Sequence, residues 1–498
     1  MKLPISAIVV LLAYIVAITA FGTWLGRRHS GGVRGYFLGG KSVPWWAIAS
    51  CIVATETSTL TFIGAPGTSY NGNFTFLQLV FGYVIGRLVV SFLFLPAYFR
   101  GEIFTSYEIL QKRFGGAVRA TSSGIFLLSR TLGDGIRLHA AALVLSVAAG
   151  INEWWCILAL GAAMILYTEE GGVMATIWTD AIQMFVYLFG AIVCFVAVAK
   201  ELPGGVMGAF EKAATAGKLT FLNAAFDIHD PYTIWAGVIG GMFLTIATHG
   251  TDHYLVQRFL VAKSQRDAQT GLILSGFLVF AQFVLFLALG ILLWAFYDGR
   301  KFARADEILP TFVATELPGV FTGLILAAIV AAALSPSLNS MASATLRDFY
   351  VPYINPGATE EKQLRLARRF TVFWGILQIG VAGLARNVES ALQAGLAALG
   401  YASGPTVGAF ALGLFTTSAN TTGTMIGMLS GLLVSLSVGL FSPQIFGVPG
   451  VAWTWNVFVG AVVTFAVGFT VSSLTHPREG GGLHGVATSV APFGGARQ

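Results

Sequence analysis

Apolar side chains run in stretches of about 20 residues along most of the chain, the length that carries a helix across a bilayer core. Charged and turn residues bound these runs. They predict thirteen helices, over residues 4–25, 44–66, 74–98, 117–149, 153–168, 172–198, 234–258, 270–298, 318–347, 368–387, 390–416, 422–441 and 452–472. Two of the thirteen are interrupted by polar residues. The second begins Pro44-Trp45-Trp46 and continues into Ala54-Thr55-Glu56-Thr57-Ser58-Thr59-Leu60-Thr61. The seventh begins Ile234-Trp235 and reaches Ala247-Thr248-His249-Gly250-Thr251-Asp252-His253. Isolated Ser and Thr can bond their own helix backbone. Four threonines, a serine and a glutamate in eight positions are too costly at that depth unless they line a cavity or bind something.

The two interrupted helices occupy matching places. Residues 44–198 hold five spans opening on one of them, and residues 234–416 hold five opening on the other. The first unit starts on the side opposite to the second, which is the inverted repeat of an alternating-access transporter. Around these units lie an N-terminal helix and loop (1–43), an external loop (199–233), two further helices (417–475) and a flexible tail (476–498).

Composition agrees: 55% of residues are hydrophobic, 10% are charged and the mean hydropathy is +0.75. A soluble enzyme needs about 25% charged residues to cover its surface, so that class is excluded. The net charge of +6 comes from short loops between spans, a topology signal rather than a nucleic-acid footprint. With the N-terminus outside, eighteen Lys and Arg fall on the inner side and eight on the outer. The reading is an integral plasma (inner) membrane protein with its C-terminus in the cytoplasm. Lys2 before the first run and Arg27, Arg28 and His29 after it reverse the charge order of a signal peptide, so this span is read as uncleaved. Cys51, Cys156 and Cys194 have neither disulfide nor zinc spacing. No His-Glu-x-x-His run or Gly-x-Ser-x-Gly elbow is found, so no enzyme is expected.

Several charges sit within spans. The fourth span contains Arg130, Asp134, Arg137 and His139. Asp134 and Arg137 are three apart and share a face. Arg137 either reaches the central cavity, where its fork can grip a carboxylate or phosphate, or it pairs internally with Asp134 or Glu56. Arg87 is read as a brace for its own helix, with Gln78 a candidate for the site. Glu56 can bind a cation, an ammonium group or a proton.

At these residues the chain resembles the sodium:solute symporter family. The resemblance rests on Gly39-Gly40-Lys41-Ser42-Val43-Pro44-Trp45-Trp46, Phe62-Ile63-Gly64-Ala65-Pro66-Gly67 and Trp178-Thr179-Asp180-Ala181-Ile182-Gln183. It continues through Gly250-Thr251-Asp252 with Val256-Gln257-Arg258, Ala262-Lys263-Ser264, Leu338-Asn339-Ser340 with Asp348-Phe349-Tyr350, and Ser403-Gly404-Pro405. It implies an all-α membrane protein with the LeuT-like fold, five plus five helices in inverted repeat with two of them discontinuous. It also implies a sodium held by the carbonyls of Ala54 and Thr57 and by two hydroxyls of the eighth core helix. Those hydroxyl positions map to Ala332 and Ala333, which cannot coordinate sodium. A register slip offers Ser335, with Pro336 in place of the second hydroxyl. A second family site maps to Asp180 and Ser335. Glu56 falls at the family's substrate-proximal position, and His249 falls where sugar transporters have a tryptophan. Ser58, Thr245 and Thr248 are the hydroxyls placed with them.

The expected function is secondary active symport of a small polar organic solute, with sodium as coupling ion and no organic cofactor. The alternative is proton-coupled or uncoupled passage on the same fold. The lipid bilayer and the small solute are the expected partners; a monomer suffices for this reading and oligomers stay open.

Overall fold

The structure, a computed structural model, describes residues 4–28, 41–57, 59–100, 103–333, 337–387, 391–440 and 450–475. Helix makes up 83% of it. Among the described residues the one extended pairing is a bridge between Val43 and Ala262. In it Val43 N donates to Val261 O at 3.3 Å and Lys263 N donates to Val43 O at 3.2 Å. This bridge ties the entrance of the first interrupted helix to the exit of the second.

Most expected helices form within a few residues of their expected ends, including Ile5–Arg28, Gly116–Ala149, Gln265–Phe296, Ala391–Phe415 and Thr421–Leu440. Among the described residues eight helices are long and apolar enough to cross a membrane, or nine when a bent pair counts as one span. The expectation was thirteen. One cause is the stretch expected as 153–168 and 172–198, which is a single helix, Glu153–Glu201, of 49 residues. The break expected at 169–171 stays helical, Gly171 included, since a glycine costs a helix only about 1 kcal/mol against alanine. A second cause is Gly116–Ala149, long enough but laden with charge. A third is the eighth core helix, described as Gly319–Ala333 on one side of residues 334–336, which lie outside the described residues, and as Leu338–Ala344 with a π-helical stretch, Thr345–Ile354, on the other. Segment 199–233, expected as a loop, contains the helix Gly205–Thr215, which buries Ala209 and Ala213.

Close packing sets the position of the site. Leu77–Phe99 runs against the second interrupted helix. A Cβ on Gly82 would lie 2.5 Å from Val238 O, and one on Gly86 would lie 2.6 Å from Thr245 Cβ. Only glycine allows two backbones this near, as is common between membrane helices. That approach brings Arg87, next in sequence, up to the first break. The outward faces carry exposed Phe, Leu and Ile, such as Phe185, Ile376 and Leu384, which suits contact with lipid tails.

Candidate functional site

The first interrupted helix ends its leading half, Trp45–Glu56, where Thr57 leaves helical geometry (φ −78°, ψ 79°). The trailing half, Thr59–Asn71, departs at 63°. Thr57 exchanges hydrogen bonds of 2.6 and 2.9 Å with Gln282, which holds the bend. Glu56 is the last helical residue and sits at the negative end of the half-helix dipole, where a carboxylate is disfavoured. Arg87 offsets this through an ion pair with Glu56. The Arg87 side chain is buried and fixed by Ser275 Oγ at 3.2 Å and Tyr83 O at 3.1 Å.

The second interruption is built differently. Ile234–Thr245 widens into a π-helical stretch, Ile246–Thr251. The chain then breaks at Asp252 (φ −75°, ψ 121°) and resumes as His253–Leu260. The break falls inside the polar run 247–253 that marks the interruption in the sequence. The π stretch keeps its hydrogen bonding, with Asp252 N donating to Ala247 O at 3.0 Å and the Tyr98 hydroxyl donating to Gly250 O. Asp252 caps the new half-helix by accepting from Tyr254 N at 2.9 Å. It also takes Nε and Nη2 of Arg130 at 2.9 and 2.6 Å.

Between the breaks lies a cavity of about 70 Å³, lined by Glu56, Arg130, Arg137, Thr245, Thr248 and His249 together with Tyr83, Tyr254, Phe76 and Phe283. A neighbouring cavity of about 40 Å³ shares Glu56, Arg130 and Arg137 and adds Asp134. Arg137 stands 3.6 Å from Asp134, and among the described residues it makes no hydrogen bond. Asp134 is engaged elsewhere, by Ser337 through both hydroxyl and amide and by Gln378 Nε2 at 3.5 Å. His249 is buried, with Nδ1 2.9 Å from Thr248 Oγ1 and Nε2 3.8 Å from Glu56 Oε2.

Glu56, Arg137, Thr245, Thr248 and His249 are therefore brought together as the sequence suggested. Gln78 is not. Its Nε2 donates to Tyr232 O at 2.6 Å and Thr75 O at 3.2 Å, and its Oε1 accepts from Asn223 N at 3.1 Å. It clamps segment 199–233 instead of lining the cavity. Lys218 of that segment donates to Tyr70 O and Gly72 O at 2.7 and 2.9 Å, and burial lowers its ammonium below the ordinary lysine value. Ser58 and Ser335 lie outside the described residues. Ala332 lies in the last turn of Gly319–Ala333, and Ala54 in the last turn before the first break.

Asp180 is fully buried and accepts from Thr55 Oγ1 at 3.2 Å, Cys51 Sγ at 3.4 Å and Arg258 Nη2 at 3.3 Å. Its charge is thus already met by an arginine. The Arg137–Glu56 bridge is not made, because Arg87, read as a brace, takes Glu56. The pairing of Arg130 with Asp252 and the aromatic wall were missed from sequence. Their signal was the matching inventory of arginines and acids at membrane depth, which requires pairs without naming them.

A family model described as the sodium:solute symporter family matches residues 36–431. The chain is 30% identical over 468 residues to the sodium/sialic acid symporter NanT of Aliivibrio fischeri, covering 92% of each. It is 27% identical over 450 residues to sodium-coupled monocarboxylate transporter 1 of Xenopus laevis, covering 88% of this chain and 71% of the relative. A solved structure of a Na+-coupled sialic acid symporter in a substrate-bound, outward-open state matches with a TM-score of 0.86 at 27% identity, over 95% of this chain and 99% of the other. That match carries the LeuT-like, all-helical fold.

Proposed function

The chain belongs to the sodium:solute symporter family, and from that premise we propose that it carries a small polar organic anion together with sodium by alternating access. One observation carries this reading: the charges around the cavity cancel. Glu56 is matched by Arg87, Asp252 by Arg130 and Asp134 by Arg137. An anion entering such a site alone would bury an uncompensated charge, at a cost of several kcal/mol. A cation entering with it restores neutrality. Arg137 is the guanidinium with the weakest tie, so it takes the solute's carboxylate in a bidentate grip. The names of the two relatives above, which speak of a monocarboxylate and of sialic acid, support an acidic solute.

Sodium would find hard oxygens at the backbone of Ala54 and Thr57, where the half-helix ends, and at Asp180 with Ser335. At Asp180 it would share the carboxylate with Arg258. A second reading, proton-coupled or uncoupled passage, draws on Ala332 and Ala333, which supply methyls where the family has hydroxyls. Residues 44–198 and 234–416 are the two inverted units in this proposal. The protein sits in the plasma (inner) membrane with the N-terminus outside and the C-terminus in the cytoplasm.

Proteoliposomes decide between the readings. An inward sodium gradient should raise uptake of a carboxylate solute at least about tenfold over choline at equal pH. Uptake driven by a proton gradient alone, indifferent to sodium, lost in Glu56→Gln and kept in Asp180→Asn, would establish the second reading.

A further inference from the structure

His249 has one ring nitrogen served and the other not. Nδ1 lies 2.9 Å from Thr248 Oγ1, and that hydroxyl donates its own proton to Leu244 O at 3.0 Å. Thr248 must therefore accept, and Nδ1 carries the ring hydrogen; this tautomer is assigned from the hydrogen-bond chain. Nε2 is left as a bare lone pair, buried and without a hydrogen-bond partner among the described residues. It faces Glu56 Oε2 across 3.8 Å. Glu56 is itself an acceptor whose charge Arg87 already balances. Glu56 Oε2 already accepts from Arg87, so the acceptor left unmet on this wall of the cavity is Nε2, and it stays so until one donor reaches it.

We propose that the donor is a hydroxyl of the solute, so that the transported species is a short hydroxy monocarboxylate. The inference rests on the function proposed above, with the carboxylate on Arg137, and adds what the opposite wall reads. A hydroxyl gives its proton to one acceptor without bringing charge. An ammonium group would bring a positive charge to a glutamate already spent on Arg87. A keto oxygen only accepts, and both wall atoms would repel it.

Size points the same way. At about 10–15 Å³ per water position, a cavity of about 70 Å³ holds about five to seven waters, close to the six or seven heavy atoms of lactate or 3-hydroxybutyrate. A nine-carbon sugar acid is about three times larger. The hydrocarbon body would lie on Phe76, Leu244, Phe283 and Leu396.

Competition for binding to the purified full-length protein in sodium chloride tests this. The probes are lactate, 3-hydroxybutyrate, propionate, butyrate, pyruvate, alanine and sialic acid, read by thermal shift and confirmed by uptake. Each hydroxy acid should bind at least about tenfold tighter than its deoxy partner and tighter than pyruvate, because an unmet buried acceptor penalises the analogue. In His249→Phe the ratio of lactate to propionate should fall to about one. In His249→Gln, whose amide oxygen can still accept, part of the preference should return. A wild-type ratio near one overturns the proposal, and that measurement stands even if the variants fail to fold. So does a preference for alanine or for sialic acid. A site that binds acids but ignores the hydroxyl sinks this inference alone. A site that takes only neutral solutes sinks the proposed function beneath it.

Discussion

At the first break the acid, Glu56, ends the leading half-helix, and at the second the acid, Asp252, begins the trailing one. Each carries an acid, and the two acids have opposite relations to their backbones. Glu56 sits where exposed carbonyls already make the field negative, so it depends on Arg87 from another helix. Asp252 sits where free amides make the field positive, and it caps His253–Leu260 while pairing with Arg130. The field at the first break favours a cation, which Arg87 supplies from another helix, whereas at the second break the aspartate itself meets the field.

The comparison can be broken most forcefully at Arg87. Arg87→Met leaves Glu56 unpaired at a helix C-terminus, and the loss should be about 3–5 kcal/mol, as for other severed buried pairs. Denaturation in detergent would show it, and the double variant Arg87→Met with Glu56→Gln should recover most of the loss. If the single change is harmless, the first break does not depend on its arginine.

The next effect concerns the most loosely tied charge beside the cavity, Arg137. Arg137→Lys keeps the charge but loses the planar fork, so uptake should fall about tenfold, equivalent to about 1.4 kcal/mol, while the melting temperature moves little. Normal transport by Arg137→Gln would make the residue a structural partner of Asp134 and nothing more.

The smallest effect separates capping from charge at the second break. Asp252→Asn retains a capping oxygen and Asp252→Ala does not, so the alanine variant should be less stable by about 1 kcal/mol. Equal stabilities would mean that the pairing with Arg130, not the cap, holds the second half-helix in place.

The long apolar runs placed most helices, because a bilayer admits few backbones other than closed helices. The polar runs at 54–61 and 247–253 revealed both interruptions and three of the cavity residues, Glu56, Thr248 and His249. Where expected and observed ends differ, local chemistry was indecisive: residues 169–171, expected to separate two spans, are helical, and within the polar run 247–253 the π stretch Ile246–Thr251 places the break itself at Asp252. Gln78 was a candidate for the site from its place on the second core helix. Its partners were the backbone of segment 199–233, which no periodicity could name.

The amino-acid sequence by itself determined the inventory: the spans, the two interruptions, and a set of acids and arginines that had to neutralise one another in a low-dielectric core. Which acid took which arginine was decided by tertiary structure. Arg87 reaches Glu56 over 31 residues of sequence, Arg130 reaches Asp252 over 122, and Arg258 reaches Asp180 over 78. Helical spacing tells which face of its own helix a charge occupies. It does not tell which other face lies opposite, since that follows from the close glycine contacts and the rotation of each helix in the bundle. Arg137 keeps only its 3.6 Å approach to Asp134, because Glu56 is paired with Arg87.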